Sequence, residues 1–215
     1  MNYYVIFAGI GSVFALFVYY FAVKREGYPL KLSVFAYISP VIGLFAGARL
    51  FGHISAKIHY MNTGEQIVPG IVFYGGLFGF IIMFLILQRA MLGDFSKGLC
   101  DAAGISIPLF HAFGRIGCFL TGCCGGFMGA VPVQLLESLG NFIIFAVLLV
   151  LYIKQKATGR LLWIYLLSYA VMRFFIEFFR EDVQRGMIGA LSFSQVCSIM
   201  LAVFLAGLYY GRKVR

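Results

Sequence analysis

The sequence predicts an all-α integral membrane protein, a seven-transmembrane-helix bundle. The first observation behind this fold class is composition: 62% of the residues are hydrophobic and only 12% are charged, whereas a soluble domain is nearer half apolar and a quarter charged. The second is that the apolar residues fall into seven runs, each long enough for the roughly 20-residue helix that crosses the hydrocarbon core. We therefore expect one transmembrane domain over residues 1–215.

Each predicted span is an apolar run bounded by turn-forming or charged residues. The first run has no basic leader and no small-residue cleavage site, so it is predicted to be a retained helix rather than a signal peptide. The connectors "KREGYPLK" and "KQKATGR" separate later runs. In chain order, the predicted spans cover residues 3–23, 33–55, 70–90, 99–121, 133–153, 161–179 and 191–210.

The basic residues predict the orientation of these helices. Of the 17 lysines and arginines, 11 lie at one set of span ends, 3 lie at the opposite ends and 3 lie inside spans. The positive-inside rule then places the N-terminus outside and the C-terminus in the cytoplasm. The net charge of +9 therefore reflects mainly the orientation of the helices in the membrane. Because the basic residues form no face suited to reading bases, no nucleic-acid partner is expected. The larger group is Lys24, Arg25, Lys31, Arg89, Lys97, Lys154, Lys156, Arg160, Arg212, Lys213 and Arg215, and the smaller is Lys57, Arg180 and Arg185.

The three arginines inside spans are candidate functional residues. Arg49, Arg115 and Arg173 are all predicted in the outward halves of their helices, where an unpaired charge costs on the order of a few kcal/mol. Arg49 could snorkel to the interface, and Arg173 could pair with Glu177 one turn later. Arg115 has no acidic residue at i±3 or i±4, so its partner is either an anion from another helix or a ligand. A guanidinium suits phosphate bidentately, which indicates a lipid headgroup.

Closely spaced glycines occur in "GLFAGARLFG", "GIVFYGGLFGF" and "FGRIGCFLTGCCGG". In lipid, such spacing lets helix backbones approach one another closely. Glycine also permits irregular backbone that exposes N–H groups inside a bundle. On glycine spacing alone, helix packing is the favoured interpretation.

Three of the five cysteines, Cys118, Cys123 and Cys124, follow Arg115 closely. They could carry an acyl or glyceryl group covalently, form a redox pair, or pack helices as small polarizable side chains. Packing is the favoured interpretation. A four-cysteine zinc site would need a second cluster, which the sequence lacks. No metal site is therefore expected.

Several segments in order resemble the bacterial prolipoprotein diacylglyceryl transferase family. They are "HAFGRIGCFLTGCCGG", "VPVQLLESLGNFIIF" and "LLSYAVMRFFIEFFRED…GALSFSQVCSIM", preceded by "GLFAGARLFG" and "FYGGLFG". The resemblance implies a multi-pass enzyme of the bacterial cytoplasmic membrane. Such an enzyme transfers the diacylglyceryl unit of phosphatidylglycerol to a cysteine thiol of a lipoprotein signal, at the outer side of the membrane and without a metal or a soluble cofactor.

The resemblance also implies site residues. Arg115 matches the essential arginine of the family signature GR-x-G-N-F-x-N-G-E-x-x-G, and Tyr169 and Arg173 match a tyrosine and an arginine of the sixth span. Gln134 and Glu137 match a Q-L-x-E element. The remaining expected substrate contacts are Arg49, Gly75, Gly76, Gly114, Gly117, Cys118, Gly122, Cys123, Gly126 and Glu177.

The chain departs from the family pattern around the expected acceptor. Cys118 and Thr121 stand in place of two asparagines, and Cys123 stands in place of a glutamate. Tyr74 replaces the histidine of an H-G-G-L motif, so it is expected to hydrogen-bond substrate or shuttle a proton. His111 is an alternative base, although a lone helical histidine more often bonds a neighbouring helix. The departures predict a divergent relative.

Three functions therefore stay open from the sequence. One is a lipid transferase in which arginines stabilise the leaving phosphate. Another is a non-catalytic phospholipid-binding or transporting relative, favoured by the loss of the histidine and asparagines. The third is a thiol–disulfide membrane oxidoreductase that uses Cys118, Cys123 and Cys124.

Overall fold

The computed structural model describes residues 3–128, 130–181 and 186–213. Arg185 and Arg215 of the charge count lie outside these ranges. Within them, seven helical segments are long and apolar enough to cross a membrane, which confirms the predicted all-α, seven-span fold. The helices are α1 Tyr3–Arg25, α2 Leu30–Ile38, α3 Val41–Thr63, α4 Phe73–Leu92, α5 Lys97–Leu120, α6 Val133–Ile153, α7 Leu161–Ile176, continued by a 3₁₀ turn Glu177–Phe179, and α8 Phe193–Lys213.

The second span differs from its prediction because it consists of two consecutive helices, α2 and α3. Pro40 lies between them. Proline has no N–H to donate and its ring clashes with the preceding turn, so a helix cannot continue through it undisturbed. Helix α3 then runs beyond the predicted end at residue 55 to Thr63, where Gly64, with φ 74°, ends it.

The helices fall into two compact units. The first contains α1, α5, α6, α7 and the later part of α8, over Met1–Gly27, Lys97–Asp182 and Ser198–Arg215. The second contains α2, α3, α4 and the start of α8, over Tyr28–Ser96 and Val183–Cys197. Each unit carries one small antiparallel hairpin: β1 Phe127–Met128 with β2 Val131–Pro132, and β3 Met187–Ile188 with β4 Leu191–Ser192. The single domain expected over residues 1–215 stays a prediction.

Helix α5 is the central element of the first unit, since it packs against α1, α6 and α7. Near its start, Asp101 is 1% exposed. The Asp101 carboxylate accepts hydrogen bonds from the backbone N–H groups of Gly159 and Leu161, the latter at 2.8 Å. Leu161 is the first residue of α7 and Gly159 lies two residues before it, and the first amides of a helix have no acceptors within the helix. Asp101 thus caps α7 from another helix.

Asp101→Ala is expected to lower the free energy of unfolding by about 2–3 kcal/mol, because one buried and one part-buried amide lose a charged acceptor. Thermal unfolding of the purified protein in detergent measures the change. The matched control is Glu65→Ala, since Glu65 is an exposed carboxylate, and a change within about 0.5 kcal/mol is expected there. Equal unfolding temperatures for the two variants would contradict the capping role.

In the second unit, glycines bring α3 and α4 into backbone contact. A Cβ on Gly79 would overlap the carbonyl oxygen of Gly43, and a Cβ on Gly75 would overlap that of Gly47. Neither helix could approach the other this closely with a larger residue at these positions. The contacts support the packing interpretation of "GLFAGARLFG" and "FYGGLFG".

Candidate functional site

Arg115 and Arg173 share one buried carboxylate. Arg115 Nε lies 3.0 Å from Glu137 Oε2, and Arg173 Nη1 lies 3.1 Å from the same oxygen. The three side chains come from α5, α6 and α7 and are only 9%, 2% and 7% exposed. The sequence left two kinds of partner open for Arg115, and Glu137 is an anion from another helix.

A second carboxylate extends this cluster. Glu177 Oε2 lies 2.6 Å from Arg173 Nη2, which is the ion pair that the sequence suggested, and 3.9 Å from Arg180 Nε. Three guanidinium groups and two carboxylates give a net charge of +1 with histidine neutral. Arg115 Nη2 is buried and has no hydrogen-bond partner among the described residues. We call Arg115, Glu137, Arg173, Glu177 and Arg180 the arginine cluster.

Two further candidates contact the same carboxylate. His111 Nε2 lies 3.4 Å from Glu137 Oε1, and Tyr169 donates its hydroxyl to that oxygen, also at 3.4 Å. The two rings lie edge to face with centroids 5.0 Å apart. The structure therefore gathers His111, Glu137 and Tyr169 with both arginines.

Four expected site residues belong to the second unit. Tyr74 is buried at the beginning of α4, and Arg49 is exposed on α3. The expected convergence of Arg49 with Arg115 and Arg173 stays a prediction. Gly75 and Gly76 also lie on α4, and Gly75 is in backbone contact with α3.

The three clustered thiols lie where α5 ends. The backbone N–H of Cys123 donates to the Cys118 carbonyl at 3.1 Å, and Gly122, between them in the chain, has φ 68°. An α-helix commonly ends in this way, with a glycine in the left-handed conformation just after its last turn. Cys124 has φ 58°, a conformation that is uncommon outside glycine. As a result, the three sulfur atoms lie within 4.8 Å of one another.

None of the five cysteines forms a disulfide. Within the cluster, Cys124 is the cysteine whose pKa is lowered. It lies outside the membrane-spanning helices, and its pKa is lowered to about 5. The main cause is a hydrogen bond from the Cys118 thiol, and the positive charges of Arg115 and Arg180 lower it further against the opposing effect of burial. This lowered pKa favours the thiolate form of Cys124.

The loop that carries these thiols is attached to two neighbouring elements. Gln134 Nε2 donates to the Cys123 carbonyl at 2.9 Å. Gly126 pairs with the backbone of Arg180, so closely that a Cβ on Gly126 would overlap the Phe179 carbonyl oxygen. Earlier in the signature, Gly117 packs against α1, while a Cβ at Gly114 would meet nothing within 4 Å.

Several residues of this region were missed at the level of sequence. Asn141 Nδ2 donates to the Glu137 carbonyl at 2.8 Å, and Ser138 Oγ donates to the Ala112 carbonyl at 2.9 Å. Both are buried polar residues within an apolar span, which is a signal that the sequence did contain. Arg180 was counted only as a loop charge, although Glu177 lies three residues before it.

Comparison with known proteins agrees with the chemistry of this site. The family model described as prolipoprotein diacylglyceryl transferase matches residues 1–210. The phosphatidylglycerol–prolipoprotein diacylglyceryl transferase of Wolinella succinogenes is 32% identical over 84% of this chain and 77% of its own. The enzymes of the same name from Campylobacter hominis and Clostridium tetani are 31% and 29% identical, each over 88% of this chain and over 78% and 86% of their own lengths.

These matches cover most of the chain and most of each relative. They identify a multi-pass transferase of the bacterial cytoplasmic membrane. The chain belongs to the prolipoprotein diacylglyceryl transferase family.

Proposed function

We propose that this transferase moves the diacylglyceryl group of a phosphatidylglycerol-like phospholipid to a thiol acceptor of the lipoprotein type. The observation that carries the proposal is the arginine cluster, whose guanidinium groups outnumber its carboxylates by one. A buried excess of positive charge favours an anionic ligand, and a phosphodiester is the anion that the bilayer itself supplies.

The proposed reaction is a substitution at the glyceryl carbon. The acceptor sulfur, as thiolate, attacks the glyceryl carbon, an S–C bond forms and the C–O bond to the phosphate breaks. The bonding electron pair leaves on the phosphate oxygen. Arg115 and Arg173 would stabilise this developing charge, because donors fixed in a site of low dielectric act more strongly than donors in water.

The geometry supports separate roles for the remaining side chains. Glu137 contacts both arginines, so we assign it the task of orienting them toward one phosphate. His111 and Tyr169 contact Glu137, and Tyr74 takes the place of the family histidine. One of these three groups is proposed to exchange a proton with the reacting thiol. Arg49, Gln134 and the signature glycines are proposed substrate contacts.

Arg115→Lys is expected to lower the transfer rate by about 100-fold, and Arg115→Ala by more, because lysine retains the charge but not the planar pair of donors. Transfer of labelled lipid from phosphatidylglycerol vesicles to a cysteine peptide, with the protein reconstituted, measures the rate. The matched control is Arg89→Lys, since Arg89 is 61% exposed, and the wild-type rate is expected.

Wild-type transfer by both Arg115 variants would overturn the proposed phosphate contact. If instead the wild-type protein binds the phospholipid but transfers nothing over hours, it is the non-catalytic relative that the missing histidine and asparagines suggested.

A further inference from the structure

The thiols at the end of α5 have a geometry that packing alone does not require. The sulfurs of Cys118, Cys123 and Cys124 all lie within 4.8 Å of one another. Three sulfurs that bind one zinc ion at about 2.3 Å each lie roughly 4 Å apart. A contraction of about 1 Å, within the reach of side-chain rotation, would therefore place all three on one metal ion.

We propose that Cys118, Cys123 and Cys124 bind one Zn²⁺ through three thiolates, and that the fourth coordination position receives the thiol of the acceptor. The inference rests on the proposed function, because the acceptor thiol is the one that the transfer reaction alkylates. A closed zinc site would need a fourth cysteine, but a catalytic zinc site has three protein ligands and one open position.

Hydrogen bonds and backbone conformation fix the loop after α5 that carries Cys123 and Cys124. The Cys123 amide is bonded to the Cys118 carbonyl, and the Cys123 carbonyl accepts from Gln134. Cys124 adopts φ 58°, a left-handed conformation that is unfavourable for a residue with a side chain. Backbone strain of this kind is characteristic of functional sites. Here the strained conformation turns the chain so that Cys124 lies close to Cys118.

Burial leaves one side of the cluster accessible. Cys118 is buried, Cys124 is half-buried and Cys123 is exposed. A metal ion bound by all three would thus have protein on the Cys118 side and an approach on the Cys123 side. That is the arrangement that an incoming thiol needs.

The charges nearby favour a divalent ion. Three thiolates with Zn²⁺ carry a net charge of −1, whereas three thiolates with a monovalent ion carry −2. Arg115 interacts electrostatically with Cys118 and Cys124, and Arg180 with Cys124. The arginine cluster as a whole has a net charge of +1, which balances the −1 of the zinc thiolates and would leave a charge of −2 only partly balanced.

The proposed step balances as follows. The acceptor thiol binds the metal and loses its proton to a water molecule, since a coordinated thiol is deprotonated outright. The bound sulfur then forms its bond to the glyceryl carbon, and the electron pair of the broken C–O bond leaves on the phosphate oxygen. The thioether product is neutral and a weaker ligand, so it departs. The metal ion thereby activates the acceptor thiol.

Metal binding by the full-length protein tests the site directly. Protein reduced and stripped with a chelator in detergent is titrated with Zn²⁺ against a chromophoric competitor, and separately with Cd²⁺, whose thiolate bonds absorb in the ultraviolet. We expect one ion per chain and a cadmium band typical of three thiolates. The Cys118→Ser/Cys123→Ser/Cys124→Ser variant should lose both signals, while the control Cys100→Ser/Cys197→Ser retains them.

A single variant distinguishes loss of the metal site from loss of folding. Cys123 is exposed, so Cys123→Ala should unfold at the wild-type temperature and yet bind Zn²⁺ at least about 100-fold more weakly. Equal zinc affinity in Cys123→Ala and in the Cys100→Ser/Cys197→Ser control would overturn the site. Reduced wild-type protein that binds no zinc at micromolar concentration would overturn it as well.

Lipid transfer by the same samples separates the two proposals. Transfer that is lost on chelation and restored by one equivalent of Zn²⁺ supports the metal-bound acceptor. Equal transfer before and after chelation overturns that role and leaves the proposed function intact. Stoichiometric zinc binding without transfer from any phospholipid overturns the proposed function while the metal site itself stands.

Discussion

Glu137→Gln is expected to lower the transfer rate by at least about 100-fold and the free energy of unfolding by about 3–5 kcal/mol. The Glu137 carboxylate lies 3.0 Å from Arg115 and 3.1 Å from Arg173. The neutral amide would leave two buried guanidinium groups without their common counter-ion. Removal of one partner from a buried ion pair is strongly destabilising, because the remaining charge stays desolvated.

The control variants separate charge from shape. Glu137→Asp keeps the charge and should lie between wild type and Glu137→Gln in both measurements. Glu65→Gln removes an exposed carboxylate and should match wild type. The measurements are labelled-lipid transfer after reconstitution and thermal unfolding in detergent. Wild-type stability and rate in Glu137→Gln would show that Arg115 and Arg173 do not depend on this carboxylate.

A double variant adds a sharper test of the shared contact. In Glu137→Gln/Arg173→Gln, both partners of one ion pair are removed, so the loss of stability should be smaller than the sum of the two single losses. Additive losses would mean that Glu137 and Arg173 act independently.

Gly79→Ala is expected to destabilise the second unit strongly. The added Cβ would overlap the carbonyl oxygen of Gly43 on α3. Backbone atoms cannot move aside as a flexible side chain can, so α3 and α4 would have to separate. Overpacking of this kind costs typically 1–3 kcal/mol, and more where backbone must shift. A lower yield of folded protein and a lower unfolding temperature in detergent are the expected readouts.

Gly76→Ala is the matched control for this prediction. Gly76 lies on the same helix, but the nearest atom to its added Cβ would be the Ala48 Cβ at 3.4 Å, which is close to ordinary contact. Its unfolding temperature should stay near the wild-type value. A Gly79→Ala protein as stable as Gly76→Ala would show that α3 and α4 are not held at the distance their glycines permit.

The helical spans were predictable because each depends on a local property of the chain. An apolar run of sufficient length forms a helix in lipid whatever lies elsewhere, since its backbone polar groups must pair within the segment. For this reason the predicted fifth span, residues 133–153, has the bounds observed for α6, Val133–Ile153. The break at Pro40 was also local, but the hydropathy pattern does not register a missing N–H.

The candidate site was predictable only as a set of residues. Arg115 and Arg173 stood out as charges in apolar spans, and resemblance to a family added Glu137 and Tyr169. Their mutual contact could not be derived, because Glu137 is far from both arginines in the chain and reaches them only through the rotation and packing of three helices. Asn141 and Arg180 were missed although their contacts are local: Asn141 donates to the carbonyl four residues before it, and Arg180 lies three residues after Glu177.

The sequence by itself thus determined the fold class, the number of spans and the family, because hydropathy, charge and motif order are properties of the linear chain. Only the tertiary structure decided that one carboxylate serves two arginines and that three thiols at the end of α5 meet within 4.8 Å. Ion pairs and metal ligands depend on distances of a few ångströms between side chains, and helix packing sets those distances.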